Sequence, residues 1–136
     1  MTGTESRDIR DLTPFLQRVF FNMRAWYEKH FAGRTLILTC TWRDRTRQGW
    51  YYASGRTRPG KILTMIDGIK KLSMHNYRPA RAFDFAVKMP DGRVTWNPKM
   101  YNSVWAFFRD ARLTDKICWG RDFKNFKDFP HIQENV

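Results

Sequence analysis

The sequence predicts a single α+β domain: a short antiparallel sheet flanked by helices. Three observations carry this. The 136 residues fit one domain and leave little room for a second. One stretch near the amino terminus has an unmistakable helical period, and two later stretches alternate as strands do. With 42% hydrophobic and 16% aromatic residues the chain can build a core, which excludes disordered, collagen-like and repeat architectures.

Leu12, Phe15, Leu16, Val19, Phe20, Met23, Trp26 and Tyr27 recur at steps of three and four, so residues 12–31 read as an amphipathic helix. Thr13 is placed to cap it, with Pro14 in the first turn and Gly33 at its end. His30 continues the stripe near the carboxyl end, a position that suits a structural histidine. Residues 35–42 alternate and are rich in β-formers, which assigns Leu36, Leu38, Cys40 and Trp42 to one face and Arg43 to the other. A short helix is expected from Thr46 to Ala53, then a loop over Ser54–Lys61. Phe83, Phe85 and Val87 alternate with Ala82, Asp84 and Ala86 in a second strand, which turns at Pro90-Asp91-Gly92. Asn97 and Pro98 open a last helix carrying Val104, Phe107, Phe108 and Ala111, and short strands at Ile117–Trp119 and His131–Gln133 complete the set.

The net charge is +12, from 25 basic and 13 acidic residues. It is spread along the chain, with 14 bases and 6 acids through Lys71 and 11 and 7 after it. Such a balance favours an anionic partner: nucleic acid, an anionic membrane surface or an acidic cell-wall polymer. Cys40 and Cys118 form no CxxC pair, so neither a zinc ribbon nor a disulfide framework is expected, and both read as buried thiols. The first residues, MTGTESRDIRDL, lack the order of a secretory signal, and no run approaches the ~20 apolar residues of a membrane span. A product made in the cytoplasm without a signal peptide is the expectation.

Asp84 is the chemical anomaly, because a carboxylate within an apolar strand is costly unless paired or bound to a cation. His75 stands upstream of it, and His131 follows Asp128 downstream. Two histidines and an aspartate make a three-ligand zinc set with a fourth position open to water, and a second carboxylate is available as a base. Singly, each has a plainer reading: a surface histidine at 75, a solvated charge at 128, and an Arg78 or Arg81 partner at 84. In a straight strand an offset of three would set Asp128 and His131 on opposite faces, so the constellation requires the bend that Pro130 can supply.

Together, Ser73-x-His75, Ala82-x-Asp84, Trp119-Gly120-x-Asp122 and Asp128-x-Pro130-His131 resemble the zinc peptidases of the D-alanyl-D-alanine carboxypeptidase and L-alanyl-D-glutamate peptidase family, many of them phage endolysins. The resemblance extends over roughly residues 35–133, includes the loop Gly55–Thr64 and places Arg43 where the family has an arginine after its first strand. It implies zinc as cofactor, His75, Asp84 and His131 as metal ligands, Asp128 as catalytic base and Arg43 as a second catalytic group that binds a carboxylate or the oxyanion. It further suggests Ser73 and Arg56 as substrate contacts, each with a scaffold role as the alternative, and a supporting role for Asp122. The implied activity is hydrolysis of peptidoglycan stem peptides for host lysis, at the L-alanyl-D-glutamate bond by analogy, with a D-alanyl-D-alanine carboxypeptidase as the alternative. The enzyme would be a monomer acting on the wall in the periplasm after holin-mediated release, with an anionic envelope surface as a further partner and no separate wall-binding domain. The sequence departs from the family pattern at Lys70-Lys71-Leu72, at Asn76–Arg81 and at Arg121. A nucleic-acid-binding module, with Trp42, Trp50, Tyr51 and Tyr52 as stacking groups among the bases, is the competing class.

Overall fold

The computed structural model describes residues 2–124 and 126–135. Helix α1 spans Pro14–His30, with the Thr13 hydroxyl accepting from the Leu16 amide and Pro14 at the first helical position. Its buried stripe is Leu16, Val19, Phe20, Met23 and Tyr27. Gly33 takes the left-handed conformation just beyond the helix, at φ 81°. His30 is exposed, with Nδ1 2.8 Å from the Trp26 carbonyl and its ring stacked on Trp26.

Five strands form one antiparallel sheet: β1 (Thr35–Cys40), β2 (Ala82–Lys88), β3 (Val94–Thr95), β4 (Ile117–Trp119) and β5 (His131–Glu134). The main path runs β1-β2-β5-β4, and β3 pairs with the end of β2. Phe83, Phe85 and Val87 are fully buried on one face of β2. They pack in one core with the α1 stripe, Tyr101, Phe108, Trp119 and Ile132. Helix α2 spans Arg45–Ala53, capped by Asp44, whose side chain accepts from the Arg47 amide.

Two expectations change. The helix foreseen from Asn97 onward is two helices, α3 (Pro98–Asn102) and α4 (Val104–Asp110), meeting at Ser103. There the Ser103 hydroxyl bonds the Met100 carbonyl, a local bond that competes with a continuous helix. The break lets Tyr101 reach the Phe85 carbonyl with its hydroxyl at 3.1 Å while Val104, Phe107 and Phe108 are buried. Cys40, moreover, leaves the face of Leu36. Strand β1 pairs Leu38 with Phe85 and then Cys40 with Asp84, so one extra residue is accommodated between them. This irregularity turns Cys40 to the same side as Asp84, whereas Leu36 stays in the core and Leu38 and Trp42 pack against it.

The sheet's core face rests on Phe83, whose ring meets Phe20 edge-on at 5.4 Å. Phe83→Ala is expected to lower stability by about 3–5 kcal/mol. Denaturant unfolding, with an unchanged m-value, measures it.

Candidate active site

Opposite the core, the sheet forms the floor of a cleft of about 770 Å³. Three residues stand side by side across it: Cys40 pairs with Asp84 on β2, and Asp84 pairs with His131 on β5. Directly opposed residues of paired strands project from the same face, so the register alone brings these groups together. His75 joins them from the loop before β2, inside the 3-10 turn Met74–Asn76. Ser73 and Asn76 close that turn as a reciprocal cap, and the Arg43 amide bonds the His75 carbonyl at 2.9 Å.

Asp84 Oδ1 lies 3.1 Å from His75 Nε2 and 3.1 Å from His131 Nδ1. Each imidazole is held from behind: His75 Nδ1 is 2.8 Å from the Thr41 carbonyl, and His131 Nε2 is 2.8 Å from Gln133 Oε1. A carbonyl only accepts, so His75 carries its proton on Nδ1. Burial holds His75 below its ordinary pKa, which leaves it neutral with the Nε2 lone pair facing a carboxylate oxygen. Two lone pairs at this separation call for a positive charge between them. For His131, burial opposes the charged form, but the hydrogen bond to Asp84 and the charges of Asp84 and Asp128 raise its pKa above the usual value. Burial likewise opposes ionisation of Asp84, yet its carboxyl is held well below the carboxylate range, and with His75 neutral the hydrogen bond and charge of His131 are what favour the ionised form. The donor set of two imidazoles and a carboxylate, each imidazole oriented by an outer acceptor, fits a zinc ion in place of the His131 proton.

Asp128 borders this group, with a carboxylate oxygen within 4.8 Å of an Asp84 oxygen and of a His131 ring nitrogen. The straight-strand objection is met by the turn at Phe129-Pro130, across which the His131 amide bonds the Asp128 carbonyl at 3.1 Å. Burial and the neighbouring Asp84 charge push the Asp128 carboxyl up to about 6. Gly120 fixes the approach: a Cβ there would stand 2.2 Å from the Asp128 carbonyl oxygen, and the Asp128 amide bonds the Gly120 carbonyl at 2.8 Å. Trp119 Nε1 donates to the Phe129 carbonyl at 2.7 Å and pins the same turn.

Arg43 lies in the cleft wall with Nη2 3.7 Å from Asp84 Oδ2. Its guanidinium donates to Gln48 Oε1 at 2.9 Å and Glu5 Oε2 at 3.3 Å, and it sits over the Tyr51 ring at 4.6 Å. Ser73 also lines the cleft, although its hydroxyl accepts from the His75 amide. Arg56 does not line it. That side chain is exposed, lies over Tyr52 and donates to the Tyr52 carbonyl, which ties down its own loop. Asp122 is exposed, pairs with Arg121 and is likewise outside the cleft lining.

Sequence reasoning missed Glu5, Gln133 and the place of Cys40. Glu5 arrives because the amino-terminal segment runs beside the chain after β1, with Ser6 exchanging backbone bonds with Thr41 and Trp42 at 2.7 Å. Gln133 was within reach, since it follows His131 by two residues in the same strand.

No family model matches the chain. The peptidoglycan L-alanyl-D-glutamate endopeptidase CwlK of Bacillus subtilis (strain 168) is 33% identical over 106 residues, 74% of this chain. The matched region spans 61% of that relative's length. In the solved structures, the Serratia marcescens L-Ala D-Glu endopeptidase ChiX shares the fold with a TM-score of 0.66 and 23% identity, over 93% of this chain and 83% of that one. These likenesses support the LAS-type peptidase family. The chain's α+β sheet with flanking helices is the fold that the resemblance implied. Within this fold the Trp119-Gly120 and Asp128-x-Pro130-His131 motifs acquire physical meaning, because Trp119 and Gly120 hold the turn that sets Asp128 and His131 beside Asp84.

A ligand imidazole must shed its proton to bind metal, so zinc affinity is expected to fall as pH drops through the raised pKa of His131. Calorimetric titration of metal-free protein in buffers of different ionisation heat, across pH 5.5–8 on the order of the histidine range, should register proton release on binding. Affinity that does not change over that range would contradict the assignment of His131.

Proposed function

We propose that this chain is a zinc-dependent peptidoglycan hydrolase of the phage-endolysin kind, cutting the L-alanyl-D-glutamate bond of stem peptides. The observation that carries this reading is the Asp84 carboxylate shared by His75 and His131 with Asp128 beside it, in a cleft of about 770 Å³. That CwlK and ChiX are L-alanyl-D-glutamate endopeptidases supports the choice of bond.

His75, Asp84 and His131 would hold the zinc. When bound, zinc supplies a Lewis acid for the scissile carbonyl and lowers the pKa of the attacking water. Asp128 accepts the proton from that water and returns it to the leaving amine. Its partial burial and its raised pKa suit a group that must both take and give a proton near neutrality. Arg43, already oriented by Glu5, Gln48 and Tyr51, offsets the negative charge that develops on the carbonyl oxygen without reorganising. Ser73 shapes the His75 turn, and its position in the cleft wall leaves a substrate contact open to it. No described helix is long and apolar enough to cross a membrane. Action on the wall in the periplasm after holin-mediated release completes this reading, with the exposed bases drawing the monomer to the anionic envelope.

The nucleic-acid alternative loses support from the aromatic groups it relied on. Arg78 lies over Trp42, Arg58 over Trp50, Arg43 over Tyr51 and Arg56 over Tyr52, so the chain's own guanidinium groups cover a face of each.

Mass spectrometry of purified peptidoglycan after digestion is expected to show new D-glutamate amino termini, abolished by chelator and restored by zinc. Loss of terminal D-alanine alone would assign a D-alanyl-D-alanine carboxypeptidase instead. Asp128→Ala should retain zinc and fold while losing roughly 10²–10⁴-fold in rate, whereas His75→Ala, Asp84→Ala and His131→Ala should lose the metal as well.

Gly120→Ala tests the placement of Asp128. The new methyl would displace the Asp128 backbone, and a shift of about 1 Å in a reacting group costs on the order of 10²-fold. Turnover at wild-type rate in Gly120→Ala would show that the close approach is not needed.

A further inference from the structure

The hydrolytic set leaves one metal-ligating side chain in the cleft without a task. Cys40 is 3% exposed and lies beside Asp84 in the strand register. Its Sγ is 3.7 Å from His75 Nδ1, 3.7 Å from Glu5 Oε2 and 3.5 Å from Arg43 Nη2. One ligand atom each from Cys40, His75 and Asp84 lies within 4.8 Å of the others, and Cys40 comes from the strand on one side of β2 whereas His131 comes from the strand on the other. A buried thiol serving only as packing would be expected on the core face, where Leu36 is. The irregularity between Leu38 and Cys40 instead presents the sulfur to an imidazole and a carboxylate, which are ligands that complement it.

We propose that Cys40, His75 and Asp84 form a second cation site, selective for thiophilic divalent ions such as cadmium or excess zinc. Binding forms a sulfur–metal bond and breaks the S–H bond, and the proton leaves through Glu5 Oε2 to solvent; nothing is oxidised or reduced. Thiolate ligation selects zinc and softer ions and gives no advantage to magnesium or manganese. Because the site draws on Asp84 and His75, an ion held there takes both from the hydrolytic set. This competition rests on the hydrolytic reading, whereas the site itself does not.

Metal-free full-length protein titrated with cadmium tests it through the ultraviolet thiolate-to-cadmium charge-transfer band. The band is expected in the wild type and in Cys118→Ser, which removes the other thiol. It should vanish in both Cys40→Ser and Cys40→Ala, weaken in affinity by at least an order of magnitude in His75→Ala, and persist in His131→Ala. No band in the wild type, an undiminished band in either Cys40 variant, unchanged affinity in His75→Ala, or loss of the band in His131→Ala would each overturn the site. Peptidoglycan digestion by the zinc-loaded wild type and by zinc-loaded Cys40→Ser is scored separately: digestion without the band sinks this site alone, and the band with no digestion by either protein sinks the hydrolytic reading alone.

Discussion

A carboxylate on the middle of a sheet is the constraint around which this molecule is arranged. Asp84 sits on β2 between Cys40 on one neighbouring strand and His131 on the other, with a side chain 19% exposed. The cost of keeping it ionised there is several kcal/mol unless positive charge or hydrogen bonds offset it. The protonated His131 imidazole and the Arg43 guanidinium do so, and they come from two separate segments of the chain. The other face of the same strand is fully apolar, with Phe83, Phe85 and Val87 buried. Strand β2 therefore joins core and site: the packing that fixes its register also fixes the position of Asp84.

Around that strand, the precision of the site comes from backbone contacts more than from extra charges. The Thr41 carbonyl sets the tautomer of His75, the Phe129 carbonyl is held by Trp119, and Gly120 admits the Asp128 backbone to a distance that no other residue would permit. These groups are carried by rigid elements or closed turns, which is what a reaction depending on sub-ångström placement requires. The amino-terminal segment belongs to the same scaffold. Through Glu5 it binds Arg43, Arg47 and the Tyr51 hydroxyl at once, so the guanidinium facing Asp84 is immobilised before any substrate arrives.

Local periodicity made much of this legible. The α1 stripe, the Thr13 cap, the alternation of β2 and the turn before β3 all follow from neighbouring residues, and Asp84 announced itself as a charge in an apolar strand. What could not be read depends on partners distant in sequence. The extra residue between Leu38 and Cys40 is visible only in the pairing with β2, and it inverts the assignment that strict alternation gives to Cys40. Glu5 is 38 residues from Arg43, and nothing near it marks it as more than a solvated acid. Strand β3 is two residues long, too short to show a period, and the break at Ser103 arises because Tyr101 is drawn to Phe85. Asp128 and His131 became a pair only through a turn whose partners, Trp119 and Gly120, lie in another element.

The basic charge takes on a different character in three dimensions. Arg43, Arg56, Arg58, Arg78, Arg81 and Arg121 each lie over an aromatic ring, at 3.7–5.0 Å from the centroid. Stacking of this kind covers a ring face, and three of these groups also direct donors into the chain, Arg43 to Glu5 and Gln48, Arg56 to the Tyr52 carbonyl and Arg58 to the Trp50 carbonyl. The chain thus retains the attraction of its +12 charge for polyanions, while Trp42, Trp50, Tyr51 and Tyr52 each have a ring face covered by the chain's own guanidinium groups. An attraction built in this way is long-ranged, weakly dependent on the partner's shape and screened by salt over about 8–10 Å. Such a surface brings the protein to a charged polymer, and the choice of the bond to be cut falls to the cleft alone.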